Sequence, residues 1–534
     1  MNIMRKLPIG IQDFEKLRGG NFVYVDKTQY VYQLAQLGAP FFLGRPRRFG
    51  KSLFLSTLKA YFEGKKELFE GLKIAELEKE WTEYPVFYLD FNTAASNNLE
   101  TMNAALDYTL SKYEKDWSIE KISGEPSIRF SYIISEAHKK FGQKVVVLVD
   151  EYDKPLINTM DNAEMNENLR NVLKGFYGIL KGADAHLRFV FLTGVTKFSK
   201  VSIFSDLNQL IDISLDERFA EICGISETEL LQNFQPEIQA LAERRNLTHE
   251  QAFAELKKRY DGYHFAKVSA DIYNPFSLLN TFGSLDFAYY WFATGTPTFL
   301  AKALRNQNYD IRKFDDDVTI AANSVMDYRV ENENLVPLLY QSGYLTIKNY
   351  DNTLDEYVLG FPNEEVKYGF LNELLPAFVL KPIASGNFSV TDFLRKLMND
   401  DIEGFMTSLK AFFAAIPYDA IEQKHRDEQY YQHVFYLLFT LMGQFAQTEV
   451  KNNKGRADAI VKTTNNIYVF EFKINDSLPC GEGRGGATTA EDALKQINSK
   501  DYAIPYTADH RKLVKIGVEF SQTEKGIKRW VVEF

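Results

Sequence analysis

Three groups of residues have the types and spacing for phosphate chemistry. The first is Gly50-Lys51-Ser52, which follows Gly44-Arg-Pro-Arg-Arg-Phe49 and stands between an apolar run and a helical stretch. A phosphate-binding loop needs backbone N–H groups curled around an anion at a helix N-terminus. It also needs a lysine for the terminal phosphates and a hydroxyl on Mg²⁺. Gly50, Lys51 and Ser52 supply the last three parts in order, with Arg45, Arg48 and Phe49 in the preceding turn as further nucleotide contacts. The usual first glycine would fall at Arg45, with Gly44 one place earlier.

The second group is Asp150-Glu151, at the end of the β-branched run KVVVLVD. Asp150 suits a Mg²⁺ ligand and Glu151 a base that polarises the attacking water. Thr193, at the end of the next apolar run RFVFLTG, stands where a polar group would sense a terminal phosphate or simply cap a turn. Arg47, Arg48 and Lys197 could neutralise phosphate charge or serve as solvated surface groups.

The third group is Asp458, then Glu471-Phe-Lys473 after a short turn. Residues two apart in a strand share a face, so Glu471 and Lys473 project together, and a hairpin brings Asp458 beside them. Two carboxylates can hold a divalent ion that polarises a phosphodiester, with the lysine stabilising developing charge. Glu428 shares a helical face with Tyr431, Phe435, Leu438 and Met442, which makes it a fourth candidate, because a carboxylate on an apolar face needs a partner. Gln496, on a following helix, could touch the same site. His433 is expected to pack in its helix rather than bind metal. A solvated hairpin is the bland alternative for this group.

Strands alternating with helices over the first 200 or so residues indicate a parallel α/β sheet. Beyond residue 215 the chain becomes charged and amphipathic, with a turn-rich block YDGYHF…YNPFSLLN, and a second α/β pattern closes it. The expected partition is a nucleotide-binding core over 1–215, a lid over 216–325, a helical connector over 326–415 and a metal-dependent module over 416–534. The formal net charge of −10 argues for a confined basic groove rather than general affinity for nucleic acid. Only Cys223 and Cys480 occur, too far apart in sequence for a metal knuckle, which suits a reducing cytoplasm. No apolar run is long enough to span a membrane, and MNIMRKLPIG lacks the apolar stretch of a signal peptide.

With these residues in hand, the chain resembles the bacterial AAA-ATPase-like proteins that carry a C-terminal PD-(D/E)XK nuclease domain. The resemblance runs through LPIGIQDFEKLR, YVDKT, FLGRPRRFGKSLFLSTL, LVDEYDKPL, LTGVTKFSKVSIFSDLNQL, YDGYHF and YNPFSLLN to GRADAIV, FEFK and ALKQI. It implies an AAA-like P-loop NTPase sheet with a helical or winged lid, then a restriction-endonuclease-like α/β domain. It also implies ATP and Mg²⁺ as cofactors, with Lys51, Ser52, Asp150 and Glu151 at the nucleotide. Asp458, Glu471 and Lys473 become catalytic, supported by Glu428 and Gln496. The implied partner is nucleic acid, DNA ahead of RNA, with no membrane; a homo-oligomer is compatible with it. Three readings are weighed: an ATPase and nuclease in which nucleotide gates cleavage, a nucleotide-dependent switch or scaffold that binds without cutting, and an ATPase whose C-terminal domain is a metal-bound structural module.

Overall fold

The computed structural model describes residues 5–92, 97–197, 209–292, 298–307, 309–315, 318–328, 334–379, 389–416, 428–443, 447–449, 458–475, 489–521 and 526–534. Its contacts divide the chain into two compact units: residues 1–294 with 314–367, and residues 295–313 with 368–534.

In the first unit the long β-branched and aromatic runs form a five-stranded, all-parallel sheet. Its strands are β1 (Pro40–Gly44), β2 (Val86–Asp90), β3 (Val145–Asp150), β4 (Leu187–Gly194) and β5 (Ile211–Asp212), in the order β2-β3-β4-β1-β5. Every residue of β3 is buried, as a strand covered on both faces requires. The helices Leu99–Asp116, Pro126–Phe141 and Ala163–Gly182 pack together, and Phe87, Phe130 and Phe176 stack through that layer with ring centroids 4.5 and 4.7 Å apart. The parallel register sets Asp90 opposite Asp150, Leu43 opposite Thr193 and Gly44 opposite Gly194. All these residues therefore gather at the carboxyl edge of the sheet, where α/β folds bind ligands.

Beyond the sheet, helices Gln235–Arg245, His249–Tyr260 and Pro275–Ser284 bury Leu230, Ile238, Leu256 and Phe282 against Leu7, Val23 and Val25 of the N-terminal segment. A two-stranded ribbon joins β6 (Ile225–Ser226) to β7 (Ile272–Tyr273). A wing-like antiparallel sheet then links β8 (Val318–Ala321), β9 (Thr346–Asp351) and β10 (Glu356–Gly360) in the order β8-β10-β9. The span 326–415, expected to be a helical connector, thus carries two strands and is shared by both units. Period-2 alternation over so few residues is a weak signal beside the neighbouring helices.

The second unit holds a mixed sheet, β11 (Gln447–Glu449), β12 (Ala459–Lys462), β13 (Asn466–Asn475), β14 (Lys512–Ser521) and β15 (Gly526–Glu533), paired in chain order. Only β13 and β14 run parallel. Phe470 and Phe472 face Phe405, Phe435 and Phe439, from the helices Ile402–Ala414 and Glu428–Met442. The other face packs Ile467 and Val469 against Ile497 of the helix Ala490–Ser499.

That helix comes unusually close to β14. A Cβ added at Gly517 would lie 2.3 Å from the Ala490 carbonyl oxygen and 2.7 Å from the Leu494 nitrogen, both backbone atoms. Gly517→Ala is accordingly expected to push the helix outward and cost about 1–3 kcal/mol. Chemical denaturation followed by a probe in this unit checks it, and an unchanged midpoint would show that the backbone relaxes freely.

Candidate functional site

At the edge of the first sheet, Gly50 takes φ +95°, a conformation glycine adopts without strain, and starts the helix Lys51–Phe62. Lys51 is buried, and its ammonium donates to the carbonyls of Arg45 and Pro46, both at 3.0 Å. Ser52 lies beside Asp150, which ends β3 and is 1% exposed. Burial pushes the Asp150 carboxyl up to about 6; Ser52 and Lys51 oppose the shift, while Asp90 and Glu151 add to it. A carboxylate desolvated to this degree favours a cation beside it. Glu151 follows with φ +46°, the left-handed region that a non-glycine residue rarely adopts, its carboxylate 3.9 Å from the Lys154 ammonium. The Thr193 hydroxyl is buried without a hydrogen-bond partner among the described residues. Lys51, Ser52, Asp150, Glu151 and Thr193 are thus brought to one edge, and the orphaned hydroxyl, the buried lysine and the buried carboxylate fit a nucleotide with its Mg²⁺.

The preceding turn behaves differently from expectation. The Arg45 guanidinium is 1% exposed and donates to the carbonyls of Gly44, Ser214 and Phe219 at 2.9, 2.7 and 3.1 Å, while stacking 4.3 Å above the Phe265 ring. Both terminal nitrogens donate inside the protein, so Arg45 acts as a strut, and its Nε is buried without a hydrogen-bond partner among the described residues. Phe49 is also buried, edge-on to Tyr263 and Phe265 at 4.7 and 5.4 Å. Arg48 is exposed, with its guanidinium 4.9 Å above the Phe276 ring. Lys197 is paired with Asp212 at 2.6 Å, which answers its charge locally.

Two acidic residues of this site escaped sequence reading. Asp90 ends β2 beside Asp150, and burial raises its carboxyl. Asp153 is buried, pushed up to about 7 by desolvation, and accepts the backbone N–H groups of Val195 and Thr196 at 3.0 and 2.6 Å. It thereby fixes the chain just beyond Thr193. The run VFYLD, apolar and ending in an acid like LVD, was the available signal for Asp90.

In the second unit the register Ala459 opposite Phe470 sets Asp458 at the mouth of the β12–β13 hairpin. The Asp458 carboxylate accepts the Phe472 N–H at 2.9 Å. Glu471 is 2% exposed, with one oxygen 3.5 Å from the Lys473 ammonium and hydrogen-bonded to the Gln496 amide. Its other oxygen is buried without a hydrogen-bond partner among the described residues. Gln496 also donates to the Tyr502 hydroxyl at 3.2 Å, a contact not anticipated from sequence. Burial, then the neighbouring Asp458 charge, pushes Glu471 up to about 7 against the opposing Lys473. The orphaned carboxylate oxygen fits a divalent ion shared with Asp458. Glu428 begins its helix as expected, but its side chain lies outside the described residues. His433 is fully buried, with Nε2 3.4 Å from Asp310, which makes it a packing residue.

Two family models match the chain: "Predicted AAA-ATPase" over residues 8–204 and "PD-(D/E)XK nuclease superfamily" over residues 426–530. The uncharacterized protein in the vnfD 5′ region of Azotobacter chroococcum mcd 1 is 36% identical over 539 residues, which is 99% of each chain. This chain belongs to the AAA-ATPase-like proteins with a C-terminal PD-(D/E)XK domain. Among solved structures, the ORC2 protein of Aeropyrum pernix aligns with 73% of this chain and 98% of its own at 13% identity, with a TM-score of only 0.24. No helix among the described residues is long and apolar enough to cross a membrane.

In this AAA-ATPase-like chain the Glu471 shift has a definite sign. Its folded value, about 7, lies above the ordinary carboxylate value, so the folded state holds the proton more tightly than the unfolded chain. The Glu471 contribution to the stability of the metal-free protein therefore falls as pH rises from about 4.5 to 7, and its loss is complete above that window. Thermal melts in chelator should fall less steeply over this range in Glu471→Gln than in wild type. Without nucleotide, Mn²⁺ should raise the wild-type melting temperature more at pH 8 than at pH 5.5. An equal Mn²⁺ shift in Asp458→Ala would place the ion elsewhere.

Proposed function

We propose that the first unit binds and hydrolyses ATP with Mg²⁺, and that the second cleaves phosphodiester bonds of nucleic acid with a divalent metal. On this reading the nucleotide state gates cleavage. The observation that carries it is the convergence of Asp458, Glu471, Lys473 and Gln496, with one Glu471 oxygen left for a ligand. Asp458 and Glu471 would hold the metal, which supplies charge neutralisation and an activated water when bound. Lys473, 25% exposed and paired with Glu471, would stabilise charge on the phosphate, and Gln496 would orient Glu471. At the nucleotide, Lys51 would hold the terminal phosphates, Ser52 and Asp150 the Mg²⁺, and Glu151 the attacking water. The buried free thiol of Cys223 suits a reducing, cytoplasmic setting.

A cavity of about 90 Å³ adjoins the loop, lined by Gly50, Leu53, Val25, Cys223, Ile225 and Leu279 among others. It shares Gly50 with the phosphate loop and is mostly apolar, which suits a planar, uncharged base such as adenine. Leu53→Trp should fill it and weaken ATP binding at least tenfold in equilibrium titration. Unchanged affinity would move the base elsewhere.

The direct test is cleavage of DNA and RNA with Mn²⁺ or Mg²⁺, with and without ATP. Asp458→Ala and Lys473→Ala should reduce cleavage at least a hundredfold, and Lys51→Ala should remove the effect of ATP. If no substrate is cut under any condition, the chain acts as a nucleotide-dependent switch or scaffold. Cleavage that survives Asp458→Ala would disprove the assigned site.

A further inference from the structure

The phosphate loop is held from outside at consecutive residues. Pro46 rests on Gly343, where an added Cβ would come 2.7 Å from the Pro46 Cβ. The Arg47 carbonyl accepts the Trp291 indole N–H at 3.1 Å. Arg48 covers Phe276, and Phe49 enters the ring cluster already described. Trp291 differs from the other anchors because it is itself held. Its backbone N–H donates at 2.8 Å to Glu365, whose other oxygen accepts the Ser277 hydroxyl at 2.7 Å. Glu365 is 1% exposed and Trp291 6% exposed, with the indole edge-on to Tyr344 at 5.4 Å.

A trans peptide is planar, so its C=O and the following N–H point in opposite directions. A donor that fixes the Arg47 carbonyl therefore also fixes the Arg48 N–H, on the opposite side of that peptide. Arg48 also has φ +69°, a conformation strained for a non-glycine residue that persists only where the surroundings impose it. Successive N–H groups around such a left-handed residue form an anion-binding concavity.

We propose that Trp291, braced by Glu365, is a positioning residue of the nucleotide site, whose indole N–H sets the Arg47–Arg48 peptide so that the Arg48 amide faces the phosphates. The role of that amide rests on the nucleotide reading above; the anchoring itself does not. The two residues lie 244 positions apart in sequence, so the bond also ties the loop to the segment after the lid helices.

The test uses Trp291→Phe in the full chain, which keeps a ring and removes the donor. Exposed Arg48 and half-buried Arg47 make the loop a trypsin reporter. Cleavage after Arg47 and Arg48, followed by mass spectrometry, should be at least fivefold faster in the variant. Mg-ATP should bind roughly 5- to 30-fold more weakly, the loss expected for one hydrogen bond and some loop order. Arg48→Gly added to Trp291→Phe should recover part of that affinity, because glycine adopts the positive φ without an external hold. A general packing defect would not be rescued in this way. Glu365→Gln should shift both readouts in the same direction by less, and it stands in if Trp291→Phe fails to fold. Wild-type cleavage rates and ATP affinity in both variants overturn the proposal. If wild type fails to bind Mg-ATP, the nucleotide reading falls, and the trypsin rates still decide the anchoring.

Discussion

A carboxylate taken out of water must lose its charge or gain a cation, and both candidate sites are organised around that constraint. Asp150 and Glu471 are 1% and 2% exposed, and desolvation is the largest cause of the raised value of each. Each has a lysine nearby, Lys51 acting on Asp150 and Lys473 on Glu471, yet neither lysine restores an ordinary carboxylate value. A second acid raises the demand further: Asp90 beside Asp150, and Asp458 beside Glu471. Two carboxylates sharing one desolvated place are unfavourable until a dication joins them, and affinity for metal follows from that.

The scaffolds meet this demand in different ways. In the first unit every strand contributing to the site runs the same way, so one edge of the sheet gathers the phosphate loop, Asp90, Asp150 and Thr193. In the second, an antiparallel hairpin brings Asp458 back beside Glu471, and a helix crossing close over Gly517 delivers Gln496. The aromatic face opposite Glu471, built from Phe435, Phe439, Phe470 and Phe472, fixes the plane of β13 and hence the direction of its polar face.

The arginine-rich phosphate loop is a variation on the same theme of satisfied polarity. Its first arginine is spent on backbone carbonyls of the 214–219 segment, which would otherwise be buried acceptors lacking these donors. Bidentate, planar donation of this kind is what guanidinium does and ammonium does not. The loop therefore owes its shape to groups distant in sequence, including Ser214, Phe219, Trp291 and Gly343.

Local pattern was enough to read the long buried strands such as β3, the helix starting at Lys51, the strand end at Asp150, and the shared face of Glu471 and Lys473. Each depends on periodicity or on a loop–helix junction a few residues long, and such information is written in contiguous sequence. The sequence could not show that Arg45 turns to internal carbonyls or that Phe49 enters a ring cluster. Nor could it show that Asp90 and Asp153 join the first site, or that β9 and β10 replace an expected helix. Those outcomes depend on which partners lie across the fold, at separations such as the 169 positions between Arg45 and Ser214. By itself, then, the sequence determined which residues have the chemistry and which face of an element they share. Only the tertiary structure decided which polar atoms stay unsatisfied, because burial and hydrogen-bond partners are properties of the packed chain.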